Sequence, residues 1–257
     1  MTDSGNNGGK SGSSQSLWRN DQQQNSHHAL LSAGSLKLRL NVKRPGDGLQ
    51  NVVANKVAME NARILCVHPD PPTPANGETL IESFCRGDDF VAIYAQTPAR
   101  SVRPHYQWRY VEPAEGVSGV ELTLSMQTSL LDSNPKAMAF TSVPAAECLA
   151  YSGETWSLLD AGHDGPVAGA SGIFLFRPEG AAVSYAEIVF PADFQGASAK
   201  RAEGAVEIRY ELFPEFLEKG VIRKGRIQSL FLPRSGDEDL AVAACETLAA
   251  AAPPLTT

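Results

Sequence analysis

Residue types that build reaction centres are sparse in this chain. It has four cysteines and five histidines, with no C-x-x-C pair and no H-x-H or H-E-x-x-H pattern, so no zinc ribbon, finger or other metal site is expected. Cys66, Cys85, Cys148 and Cys245 lie far apart. They read as buried thiols rather than a disulfide framework. No apolar run approaches the roughly 18 residues that a bilayer-spanning helix needs. The first residues lack the basic start, the apolar stretch of about 7–15 residues and the cleavage site of a secretory signal, so a cytoplasmic location is expected. Positive charge is in deficit as well. With 22 Lys and Arg against 29 Asp and Glu, a formal charge of -7, the long-range field repels a phosphate backbone, and nucleic acid is not an expected partner.

The sequence is rich in short alternating segments. Leu36, Leu38 and Leu40 alternate with Lys37, Arg39 and Asn41, which places the leucines on one face of a strand and the polar residues on the other. The same pattern predicts strands over Glu121–Thr128 and Val206–Leu212, with Glu121, Thr123 and Ser125 facing away from the core. Phe90–Ala95, Gly172–Phe176, Val183–Phe190 and Ile227–Leu232 are short, rich in β-branched and aromatic residues and bounded by turn formers, and they too predict strands. Helical signal is confined to the end of the chain. There Ser235 and Glu238 have capping-box spacing, and Leu240, Ala244 and Leu248 share a face, so a helix is expected near Asp237–Ala251. A turn or short helix is expected at Pro214–Lys219.

These elements predict an all-β fold, a two-layer antiparallel β-sandwich with one C-terminal helix, because stacking two half-apolar sheets is the simplest way to dry their inner faces. A barrel is the nearest alternative. Residues 1–34 are mostly Gly, Ser, Asn and Gln through His28 and read as a disordered polar tail, since ordering them costs entropy with little burial in return. Within it, Trp18 is either a chance inclusion or a short docking segment. Residues 35–252 form the single domain and 253–257 a frayed end.

Few local motifs carry chemistry. The glycine-rich run Gly162–Gly172 precedes a strand instead of a helix and lacks the Lys-Ser/Thr of a phosphate loop, so it reads as a mobile loop. Ser171 lacks the G-x-S-x-G frame. No cofactor is implied. The most informative segment is Arg103–Tyr110. On a strand, Tyr106, Trp108 and Tyr110 share one face while Arg103, His105, Gln107 and Arg109 share the other. Either the aromatics fill the core and the basic row is solvated, or one of the rows lines a groove for a sugar, a carboxylate or a sulfate. Arg103, His105, Tyr106, Trp108, Arg109 and Tyr110 are thus the ligand-binding candidates. A second basic group, Lys219, Arg223, Lys224 and Arg226, reads as a hairpin end or an anion site.

The segment Tyr210–Pro214 followed by Leu217–Arg226, together with Gly87–Tyr94, Arg103 and Trp108, resembles a motif of planctomycete-type bacterial proteins. The resemblance implies a β-rich intracellular or cell-associated protein and carries over no activity. The expected function is a non-catalytic β-sandwich module that binds a partner protein or a glycan-like ligand. The alternative is a carbohydrate-active, isomerase-like enzyme that pairs His105 with a remote carboxylate such as Glu187.

Overall fold

The structure, a computed structural model, describes residues 16–21, 27–70, 73–74, 76–202 and 204–251. Among these residues the strands form two antiparallel sheets. The first sheet runs, edge to edge, through Trp18–Asn20, His28–Ala33, Leu36–Asn41, Leu49–Ala54, Arg63–Pro69, Ala137–Pro144, Ala205–Leu212, Ser198–Ala202 and Asp164–Pro166, with Val57–Ala58 paired to Leu49–Ala54. The second runs through Trp156–Leu158, Glu147–Tyr151, Ile173–Arg177, Val183–Val189, Ile222–Pro233, Val117–Gln127, Arg103–Ala114, Asp89–Tyr94 and Leu80–Arg86.

Alternation explains the stacking. Leu36, Leu38 and Leu40 of the first sheet and Leu122, Leu124 and Met126 of the second are all buried in one continuous core between the layers. Tyr106 and Trp108 join them there, edge to face at 5.6 Å between ring centroids. Each strand dries the face that period-two patterning assigns to it. The architecture is therefore the two-layer antiparallel sandwich expected from the alternation.

A smaller core lies on the outer side of the second sheet. The helix Asp237–Ala250 lays Ala241, Ala244 and Leu248 over Leu175, Ala186, Ile188, Leu230 and Leu232. Its start differs from the expected capping box: Gly236 is the N-cap, in the left-handed conformation, and no side chain caps the helix. The acidic residues are used elsewhere. Asp237 binds Arg177 through two bonds of 3.0 and 2.8 Å and accepts one from Ser184 at 2.6 Å, while Glu238 accepts from Arg177 at 2.7 Å. Burial pushes the Asp237 carboxyl up, but the bonds from Arg177 and Ser184 outweigh it and hold the carboxyl below its ordinary value. These bonds tie the helix to the sheet at its N-terminal end.

Two further expectations are corrected. Residues 1–34 are not all tail: Trp18–Asn20 and His28–Ala33 are paired strands, although residues 1–15 and 22–26 lie outside the described residues. Composition hid this, because a short edge segment with one large anchor is compositionally polar yet gains its burial from its neighbours. Trp18 is 1% exposed and contacts Phe90 at 5.7 Å, which in turn contacts Trp108 at 6.0 Å. Within the expected mobile loop, Asp164–Pro166 pairs with Ser198–Ala202 as an edge strand. Of the turn or short helix expected at Pro214–Lys219, a turn forms at its end, where the Val221 N–H donates to the Glu218 carbonyl at 3.1 Å, and Leu217 makes an isolated bridge to Ser133.

If Trp18 is a core residue, Trp18→Ala lowers stability by about 3–5 kcal/mol, seen as a reduced urea midpoint with an unchanged slope. A midpoint equal to wild type would show that the N-terminal strand is not docked.

Candidate functional site

Away from the helix, the outer face of the second sheet is mostly polar, with Val91 and Ile93 as its apolar members. Strand register arranges its side chains in cross-strand rows. Asp89, Arg109, Glu121 and Gln228 form one row, and Val91, Gln107, Thr123 and Arg226 the next. A third row holds Ile93, His105, Ser125 and Lys224. Adjacent strands lie about 4.8 Å apart, so these side chains form one continuous surface.

The first row is ionic. Arg109 grips Asp89 with both ends of its guanidinium, at 2.7 and 3.2 Å. Arg226 reaches diagonally to Glu121 with two bonds of 3.2 Å, and the Gln228 amide donates to the same carboxylate at 2.8 Å. Bidentate pairs of this kind fix both partners in orientation as well as in charge. Arg226 also lies over the Phe190 ring at 5.2 Å, and its backbone N–H donates to Asp193 at 2.9 Å. Burial raises the Asp193 carboxyl above its ordinary value despite the bond and the charge from Arg226.

Two atoms in this array are unsatisfied. Arg226 Nη1 and Gln228 Oε1 are buried and without a hydrogen-bond partner, although Arg226 is only 6% exposed. One is a donor and the other an acceptor, on residues two apart on the same strand, both fastened to Glu121. A hydroxyl group can accept from the first and donate to the second. A buried polar atom without a partner is costly, so this donor and this acceptor stand out on the polar face.

The candidate residues divide between the two faces. Arg103, His105 and Arg109 belong to the outer polar face, with Arg103 exposed and the other two half-buried. Tyr106 and Trp108 are enclosed in the inter-sheet core and line no groove. Burial raises the Tyr106 hydroxyl well above its usual range. Tyr110 is half-buried near the strand end and donates to Glu112 at 3.2 Å; burial and the Glu112 charge push it up to about 12. Glu121, Thr123 and Ser125, expected to face solvent, are buried on the polar face. Their alternation was readable as a strand; the contact of Glu121 with Arg226 and Gln228, 105 and 107 residues away, was not.

The pairing of His105 with Glu187 is also corrected, because the two lie on opposite faces of the second sheet. Glu187 follows Tyr185 into the inter-sheet core, is 0% exposed, and accepts hydrogen bonds from Thr141, Tyr185 and Tyr210. Thr141 in turn accepts the Leu65 N–H at 3.0 Å, at a bulge where Leu65 has φ 52. Burial raises the Glu187 carboxyl above its ordinary value, and the three hydroxyl donors offset part of that rise. This carboxyl holds the two sheets together and has no path to His105.

No protein-family model and no curated sequence matches the chain. In fold it is similar to a TPR-domain containing protein from Parabacteroides distasonis, with a TM-score of 0.51 at 10% identity, over 80% of this chain and 47% of that one. The chain thus spans about half the length of that protein. It is also similar to a galactose mutarotase-like protein from Lactobacillus casei, with a TM-score of 0.48 at 9% identity over 79% of this chain and 99% of that one. A galactose 1-epimerase from Lactobacillus acidophilus gives a TM-score of 0.47 at 9% identity over 84% of this chain and 98% of that one. At these identities the likeness is one of fold.

The described residues contain no group of three or more His, Cys, Asp or Glu side chains placed to hold a metal. All four cysteines are unpaired, and burial pushes the thiols of Cys66 and Cys148 up to about 12. Among the described residues, no helix is long and apolar enough to cross a membrane.

Glu187 yields a pH signature. Its folded-state pKa lies above the ordinary 4.5, so the folded chain holds this proton more tightly than the unfolded one. The contribution is fully present below 4.5 and is lost as pH rises through the folded value. Glu187→Gln removes that share of the decline and flattens thermal midpoint against pH above 4.5. An unchanged slope would mean that Glu187 titrates normally.

Proposed function

We propose that this protein is a non-catalytic module that holds a glycan-like ligand on the polar face around Arg226, Gln228 and Glu121. The observation that carries the reading is the unpartnered donor–acceptor pair, Arg226 Nη1 and Gln228 Oε1, which matches what a sugar hydroxyl offers. Asp89 and Glu121 are each bound to a guanidinium, which suits positioning hydroxyls better than moving protons. Gln107, Thr123 and Ser125 add neutral hydrogen-bonding groups on the same surface. The unpaired cysteines suit a reducing, cytoplasmic setting.

Binding to immobilised neutral and acidic oligosaccharides, followed by calorimetry, tests the proposal. Gln228→Met removes the free acceptor while Arg226 still neutralises Glu121, so the variant folds and binds its glycan about tenfold more weakly. Absence of glycan binding, or a Gln228→Met variant that binds as wild type does, would overturn the reading.

A partner-protein reading is favoured by a separate feature. Leu131 and Phe216 are 83% and 71% exposed, on loops that the Ser133–Leu217 bridge joins, with Leu130, Val221 and Ile222 also exposed nearby. Large apolar groups gathered at one end of a sandwich fit protein contact. Under this reading, Leu131→Ser with Phe216→Ser abolishes co-purification of a defined partner and leaves glycan binding intact; retained co-purification would count against it.

A further inference from the structure

We infer that the glycan held on this face is acidic, and that its carboxylate or sulfate lies over the row of His105, Ser125 and Lys224. This inference rests on the glycan reading above and narrows it to a ligand class.

Charge is unevenly spread over the polar face. The carboxylates of Asp89 and Glu121 sit in one row, and each is occupied by a bidentate guanidinium, from Arg109 and Arg226. Asp193, beyond Arg226, accepts the Arg226 backbone N–H. Moving along the strands toward Arg103 and Ile222, the rows lose their acids. The row with His105 carries Ser125 and Lys224, and the row after it pairs Arg103 with Gln127 and Gln127 with Ile222. Among the described strand residues, the acid at this level is Glu82, exposed on the far edge strand and separated from His105 by Ile93; off the strands, Asp193 and Glu215 line the cavity beside Lys224, where Asp193 accepts the Arg226 backbone N–H and Glu215 pairs with Arg223.

The imidazole reports the resulting field. Burial lowers the affinity of His105 for a proton, and the charges of Arg103, Arg86 and Lys224 lower it further. A half-buried neutral imidazole surrounded by three cations accepts or donates a hydrogen bond without adding charge of its own. His105 and Lys224 are two strands apart, about 10 Å at sheet spacing. Ser125 lies between them, and Arg103 flanks the gap beside Gln127. An anionic group there can be reached from both sides by charge-assisted hydrogen bonds, with hydroxyl and amide groups beneath it. From that position, a saccharide running along the strands brings its hydroxyls to Arg226 and Gln228, one to two rows away. Anion and hydroxyl sites on one continuous surface describe a uronate or a sulfated sugar better than a neutral one.

Calorimetric titration of the full chain with a neutral cello-tetrasaccharide, a tetragalacturonate and a sulfated heparin tetrasaccharide tests the inference. At least one acidic probe is expected to bind about tenfold more tightly than the neutral one, with the advantage shrinking as salt rises. The double variant Arg103→Gln/Lys224→Gln removes that advantage and leaves neutral-sugar binding as it was; both side chains reach solvent, so the fold is kept. Carboxylated and sulfated arms distinguish the two sources of negative charge. Equal binding of neutral and acidic probes, or a double variant that keeps the acidic preference, overturns this inference while leaving the glycan reading standing. Failure of all three probes to bind overturns both.

Discussion

The second sheet changes character along its own strands, and the rest of the molecule follows from where that change occurs. On the outer face of Ile222–Pro233, Lys224, Arg226 and Gln228 give way to Leu230 and Leu232. On Arg103–Ala114, Arg103, His105, Gln107 and Arg109 give way to Val111, and on Val117–Gln127 the polar row from Gln127 to Glu121 gives way to Gly119 and Val117. The three neighbouring strands switch at the same level, so the outer face has one apolar half and one polar half. Leaving the apolar half in water would be unfavourable, and the helix Asp237–Ala250 covers it. The polar half has no such requirement and remains the candidate surface.

Gly119 sits at that boundary for a steric reason. A Cβ there would fall 2.0 Å from the Ser229 carbonyl oxygen and 2.8 Å from the Leu230 side chain. The register between Val117–Gln127 and Arg103–Ala114 also shifts between Val117 and Gly119. The close approach keeps the two central strands paired across the transition from apolar to polar. On the inner face of the same sheet, Glu187 joins the layers. Hydroxyls drawn from both sheets converge on this one buried carboxyl and couple the layers through hydrogen bonds where the rest of the core is apolar. Glu121 and Glu187, two carboxyl groups of one sheet, therefore meet opposite fates. One is held by guanidinium on an outer face and the other by hydroxyls in a closed interior.

Much of the fold was legible in the residues. Leu36–Asn41 and Ala205–Leu212 alternate cleanly, so strand type and buried face followed from period alone, and the enclosure of Tyr106 and Trp108 agrees with the core reading of that segment. The candidate site was half legible. Arg103, His105 and Arg109 were grouped correctly, because residues two apart on one strand share a face. Arg226 stood out only within a basic group readable as a hairpin end or an anion site, and nothing local marked Glu121 and Gln228. Trp18 was misread because its burial comes from Phe90, more than seventy residues away, and nothing in its polar surroundings announces that contact.

By itself, the sequence determined the secondary-structure type, the inward and outward sides of most strands and the place of the C-terminal helix, since these depend on residues within a few positions of one another. Only the tertiary structure decided which outward sides lie next to each other, and with them the Arg226–Glu121–Gln228 array, the docking of Trp18 and the separation of His105 from Glu187. Those outcomes depend on strand order and register, which join positions a hundred residues apart and leave no periodic mark on the chain.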